Sequence, residues 1–228
     1  MKKIISFLLL IIIFTFCGCN NNNKDLEARF REHYEKRQMA FAIENDLYQD
    51  YQCDVAFLGD SLTEGYDLIA HYPQYTVTNR GIAGDTTIGL ENRLKVSLFD
   101  LKPKVAVMLI GANNMDSMLD NYERILISFT NNVPNTKIVI LSLTSMSGEW
   151  GKKNQLAVQN NVKIKELAQK YSFEYVDLFS ALLNTETGEI LSEYTTDGGH
   201  LTEKGYDVLT ANITPAIEKQ LAVWQLEN

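Results

Sequence analysis

The chain has 228 residues, 45% of them hydrophobic and 22% charged, with four prolines and a formal charge of −8. Such a composition excludes a disordered or collagen-like polypeptide and fits one sizeable α/β domain. The acidic balance, with no basic block beyond Lys2-Lys3, argues against nucleic acid or an anionic membrane surface as the main partner and for a neutral or weakly charged substrate.

Lys2 and Lys3 precede an apolar run from Ile4 to Cys17. The run is short of the ~20 residues that span a bilayer and has the length of a signal-peptide core. It ends in Phe16-Cys17-Gly18-Cys19, which resembles the bacterial lipobox, with Phe16 where that pattern usually has leucine. Residues 1–18 are therefore expected to be a lipoprotein signal peptide, with Cys19 as the lipidated terminus. An uncleaved anchor helix and ordinary signal cleavage are the alternatives. Residues 19–24, rich in asparagine, read as a polar tether. The expected location is the bacterial cell envelope, on its periplasmic or surface face, with the lipid anchor as the sole membrane contact. Three cysteines, two of them in this leader, do not make a disulfide framework, and Cys53 reads as a small buried hydrophobe.

Residues 25–228 show no repeat and no linker, and read as one domain with an N-terminal amphipathic helix over 25–47, carrying Leu26, Phe30, Tyr34, Phe41 and Ile43. Continuous apolar runs follow at 55–58, 105–110, 138–141 and 175–176, with an alternating run at 75–78. Segments 86–98, 117–132, 153–171 and 202–224 have helical length and composition. Apolar strands separated by helices predict a five-stranded, mostly parallel sheet covered on both faces, a flavodoxin-like three-layer α/β/α sandwich that binds ligands beyond the carboxyl ends of its strands.

The chemistry-bearing residues sit at those ends. After the first strand, Gly59-Asp60-Ser61 puts a hydroxyl at a strand-to-helix turn, although Asp and Ser are also ordinary helix caps. After the second, Gly81-Ile82-Ala83-Gly84-Asp85 lets a ligand approach backbone amides; it is neither a dinucleotide fingerprint nor a P-loop. After the third, Gly111-Ala112-Asn113-Asn114 offers either a donor amide or a simple turn. Before the last helix, Asp197-Gly198-Gly199-His200 presents a base and an orienting carboxylate from one loop. His33 and His71 have no catalytic companions along the chain, which leaves His200 as the base. The histidines are scattered, so the sequence assigns no metal site and no cofactor.

Taken in order, Gly-Asp-Ser, Gly-Asp-Thr, Gly-x-Asn and Asp-x-x-His resemble the SGNH (GDSL) hydrolases over residues 54–224. The wording Asn79-x-Gly81-Ile82-x-Gly84-Asp85-Thr86-Thr87 and Gly111-x-Asn113-Asn114 is similar to the branch containing the α subunits of platelet-activating-factor acetylhydrolase, which shares the Asn at 114. The resemblance implies Ser61 as nucleophile, His200 as base and Asp197 as its orienting acid. It implies an oxyanion hole from the backbone N–H groups of Ser61 and Gly84 and the side-chain amide of Asn113. Asp60 and Asp85 read as structural, fixing their loops by hydrogen bonds. The expected activity is hydrolysis of small O-acyl esters, acetyl foremost, on a sugar, glycan or lipid; acyl transfer by the same residues and a non-catalytic ligand-binding lipoprotein are the alternatives. The loop 144–153 should overhang the crevice, with Trp150 stacking on substrate or anchoring the loop. Neither the alcohol half of the substrate nor the oligomeric state is legible.

Overall fold

A computed structural model of the chain describes residues 20–228, so the expected signal peptide and Cys19 lie outside the described residues. The first helix, α1 (Asn20–Asn45), reaches back through the expected tether, whose residues 20–24 are helical. The central sheet then assembles from β1 (Val55–Gly59), β2 (Val77–Gly81), β3 (Val105–Leu109), β4 (Lys137–Leu141) and β5 (Glu174–Val176), all parallel in the order β2-β1-β3-β4-β5.

Burial explains why these segments are strands. Every residue of β1 and β3 is buried, because each face of the sheet is covered and both side-chain sets of the period-two pleat must be apolar. Leu58, Ala106, Met108, Ile138 and Ile140 point to one core, against α4 (Thr87–Asn92), α5 (Met118–Asn132) and α7 (Asn154–Lys170). Val55, Phe57, Val107, Val139 and Leu141 point to the other, against α8 (Leu178–Leu182) and α9 (Glu203–Glu227). The expected sandwich is the observed one. The second strand lies later than the alternating run at 75–78 and includes Asn79, Arg80 and Gly81. Arg80 is fully buried there because α1 receives it: its guanidinium donates to the Phe41 carbonyl (3.2 Å) and Asn45 Oδ1 (2.9 Å) and lies over the Phe41 ring.

Short elements fill the connections: α2 (Ser61–Glu64), α3 (Leu68–His71) and α6 (Gly148–Gly151). A hairpin of β6 (Leu183–Asn184) and β7 (Glu189–Ile190) fills part of the connection between α8 and α9. Cys53 is buried, as expected. No described helix is long and apolar enough to cross a membrane.

Candidate active site

The parallel register aligns Gly59 with Gly81 on one side and with Leu109 on the other, so the loops that follow these strands share one edge of the sheet. Ser61 opens α2 directly after β1. The cap of that helix is Asp60, whose Oδ1 accepts the Leu62 N–H at 3.1 Å. Asp60 is buried beside Asp85, and burial foremost pushes its carboxyl up to about 7.

Across the crevice, the segment Thr195–Leu201 folds back on itself: Thr196 N–H and Thr195 Oγ1 both donate to the His200 carbonyl, at 2.9 and 2.7 Å. This closure aims the ring at Ser61, whose Oγ lies 3.1 Å from His200 Nε2. On the other side of the ring, Nδ1 is 2.7 Å from Asp197 Oδ2. The second carboxylate oxygen, Oδ1, accepts the backbone N–H groups of Gly199 (2.9 Å) and His200 (2.7 Å). Burial alone would raise the Asp197 carboxyl, but the bonds from His200 and Gly199 outweigh it and hold the group below its ordinary range. Asp197 is thus an acceptor on both oxygens, which requires N–H at His200 Nδ1 and leaves the Nε2 lone pair facing Ser61.

The loop after β2 carries Gly84 at φ +77°, a conformation that disfavours any side chain, with the Phe30 ring of α1 3.0 Å from where a Cβ would stand. The next carbonyl, Asp85 O, accepts one hydrogen of the Asn113 amide at 2.8 Å, leaving the other hydrogen available. Asn114 bonds Thr87 twice, donating to its Oγ1 (2.9 Å) and accepting its N–H (3.2 Å), and so locks the third loop onto the second. Asp85 itself binds Arg93 Nε at 2.7 Å and the Thr86 N–H at 2.8 Å, the loop-fixing part read from the sequence. Trp150 is partly buried with its indole 3.2 Å from where a Gly199 Cβ would stand, so it packs on the histidine loop as an anchor. Gly198 sits at φ +92° with Ser147 in the space a side chain would need, and its carbonyl accepts the Ser147 N–H at 2.9 Å.

Two supports carry no local signal in the sequence. Arg93, fully buried, donates to Asp85, to the Arg80 carbonyl and Ser97 Oγ (both 2.8 Å), and to the Gly59 carbonyl (2.9 Å). It reads from sequence as one more charge on a helix. Glu64, at the end of α2, accepts the Ala83 N–H at 2.5 Å and meets His33 Nε2 at 3.0 Å, while Arg37 donates to the Gly81 carbonyl at 2.9 Å. These contacts seat α1 on the Gly84 loop. A cleft of about 340 Å³ lined by Phe129, Val133, Lys137, Phe173 and Gln220 lies at the opposite end of β4 and shares no residue with the site.

A parallel sheet in this order, with its polar groups gathered on the loops beyond β1, β2 and β3, defines the class: a carboxylic ester hydrolase of the SGNH kind. Within that class the chain belongs to the GDSL-like lipase/acylhydrolase family, whose model matches residues 57–208. It is similar to a Streptococcus pneumonia protein provisionally assigned as a platelet activating factor, at 27% identity and a TM-score of 0.72, covering 88% of this chain and 100% of that one. It shares its fold with a GDSL-like lipase from Bacteroides thetaiotaomicron, at 24% identity, a TM-score of 0.71 and coverage of 80% and 97%. It also shares it with an acetylxylan esterase from Geobacillus stearothermophilus, at 18% identity, a TM-score of 0.61 and coverage of 74% and 95%. Among curated proteins there is no match.

Proposed function

We propose that this hydrolase is a serine esterase that removes short acyl groups, acetyl foremost, from a hydroxylated substrate such as a saccharide. The observation that carries the reading is the unbroken chain from Ser61 Oγ to His200 Nε2 and from His200 Nδ1 to Asp197 Oδ2. Ser61 Oγ attacks the ester carbonyl while His200 Nε2 takes its proton, and Asp197 stabilises the imidazolium that forms. The negative oxygen is met by the N–H groups of Ser61 and Gly84 and by the second amide hydrogen of Asn113, which is pre-aimed because its first is held by Asp85 O. His200 returns the proton to the departing alcohol. Water then attacks the acyl-Ser61 carbonyl and gives a proton to His200, which passes it to Ser61 Oγ as the acyl–oxygen bond breaks and the acid leaves.

An acetylxylan esterase and a GDSL-like lipase share the fold, so a saccharide ester and a lipid ester are the two substrates to set against each other. We further propose that Cys19 is lipidated, which would join the anchor directly to α1 and so to the Gly84 loop; replacing Cys19 with serine should leave the protein unacylated by intact mass and release it from membranes. For the activity, the test is a side-by-side assay of acetylated xylo-oligosaccharides and acetylated phospholipid with and without an acceptor alcohol. Release of free acetate from the saccharide, abolished in Ser61→Ala, is expected. Preference for the phospholipid, or transfer to the alcohol in place of hydrolysis, would overturn the saccharide-esterase reading.

A further inference from the structure

His71 closes α3 with its side chain only 7% exposed, under the first turn of α9. Its Nδ1 lies 2.9 Å from Thr210 Oγ1. Thr210 Oγ1 also lies 2.8 Å from the Tyr206 carbonyl one turn earlier and 2.5 Å from Tyr66 Oη; with its single hydrogen on the carbonyl, it accepts from the ring. In that arrangement Nδ1 carries the N–H, and a neutral His71 turns the lone pair of Nε2 outward. Nε2 is buried and has no hydrogen-bond partner. What faces it is a carboxylate oxygen, Glu203 Oε1, at 3.2 Å. Two atoms that both offer electron pairs do not rest at that distance without a cation between or upon them.

A second carboxylate completes the set. Asp207 follows Glu203 by one turn of α9, its Oδ1 3.9 Å from His71 Nδ1, and one ligand atom from each of the three residues falls within 4.8 Å of the others. We infer that His71, Glu203 and Asp207 form a binding site for a divalent transition-metal ion, zinc above all. With metal–nitrogen and metal–oxygen bonds of about 2.0–2.2 Å, a tetrahedral ion holds its ligands roughly 3.3–3.6 Å apart; Nε2 and Glu203 Oε1, at 3.2 Å, stand near that spacing, and the exposed Asp207 carboxylate, within 4.8 Å of the other two, would swing in to complete it. The Nδ1–H bond to Thr210 is the outer contact that fixes the tautomer of a ligating histidine. An imidazole nitrogen in the set favours zinc over magnesium or calcium, which prefer all-oxygen shells. Tyr66 stacks on Tyr206 and packs edge-on against the His71 ring, and Tyr206 Oη donates to the Leu62 carbonyl at 3.0 Å. The ion would thus clamp the α2–α3 segment, which follows Ser61, to the start of α9, which follows His200. Its role is to hold those two segments together, with no part in the ester chemistry, so the site stands whether or not the proposed esterase reading does.

The test uses the full chain stripped with EDTA, dialysed, and titrated with Zn²⁺ near neutral pH by calorimetry, alongside thermal melts with and without the ion. One zinc per chain with a Kd in the micromolar range or tighter is expected, with a higher melting temperature when loaded. Glu203 and Asp207 are 76% and 66% exposed, so Glu203→Gln and Asp207→Asn should fold normally; each should weaken binding at least about tenfold and reduce the thermal shift. Absence of binding up to about 100 µM Zn²⁺, with no thermal shift, would overturn the proposal and leave His71 and Glu203 as a simple side-chain pair. Undiminished binding in the double variant would equally overturn it, by placing the ion elsewhere, the His200–Asp197 pair included.

Discussion

Replacing Arg93 with methionine tests how the site is held. Arg93 is buried, and its four hydrogen bonds join Asp85 and the Arg80 carbonyl on the second loop and strand, Ser97 four residues further along the chain, and the Gly59 carbonyl two residues before Ser61. Methionine fills much of the volume but donates nothing, so the Asp85 carboxylate, only 3% exposed, is left in the interior without its cation. Breaking a buried pair from one side costs about 3–5 kcal/mol. At about 2–4 °C per kcal/mol for a chain of this size, the melting temperature should fall by roughly 6–20 °C. Asp85→Asn added to Arg93→Met removes the stranded charge and should recover part of the loss, which a double-mutant cycle read by denaturant unfolding measures directly. Activity at a temperature where the variant is folded should also fall, because Asp85 O aims the Asn113 amide. A destabilisation below about 1 kcal/mol, or no recovery in the double variant, would refute the view that Arg93 and Asp85 act as one buried unit.

Other expectations follow from the same geometry. Asp60 has a carboxyl raised to about 7 in the folded chain, so the folded state binds the extra proton, and this group's contribution is fullest below its unfolded value and lost as pH rises toward 7. Between pH 5 and 7 the loss is about 2 kcal/mol, and Asp60→Asn, which keeps an acceptor for the Leu62 N–H, should show a correspondingly flatter stability profile; an unchanged slope would contradict a raised Asp60. Asn113→Ala should lower kcat by roughly 10²–10³ with little change in melting temperature, and an unchanged kcat would remove that amide from the oxyanion hole. Acetate and butyrate esters of p-nitrophenol should be cleaved faster than octanoate or palmitate esters, since a tunnel that buried each further CH₂ for about 0.8 kcal/mol would give the reverse order.

Strands β1, β3 and β4 are legible because a sheet covered on both faces demands apolar residues at every position, and the sequence has such runs at those places. The second strand is read two residues early because its buried members include Arg80, which is satisfied only by residues on α1, far away in the chain. Helices of four or five residues, such as α2, α3, α6 and α8, are too short to show a period of 3.6. The polar stretch 184–189 hides a hairpin whose strands are two residues each.

Ser61, His200 and Asp197 stand out because each lies at a predicted strand or helix end in a short, recognisable pattern. Arg93 and Glu64 do not, since an arginine or glutamate inside a helical stretch looks the same whether it meets solvent or closes a buried network. His71 is the sharpest case: its companions Glu203 and Asp207 lie more than a hundred residues away, and only the packing of α3 beneath α9 brings the three together.

The central claim is that His200 and Asp197 activate Ser61 as a nucleophile. Treatment of the folded protein with a fluorophosphonate, followed by peptide mass spectrometry, tests it most directly, because the reagent reacts fast only with a serine whose proton has somewhere to go. The account predicts a single adduct on Ser61, lost in Ser61→Ala and formed much more slowly in His200→Gln. An adduct on another serine, or labelling undiminished by either substitution, would contradict it.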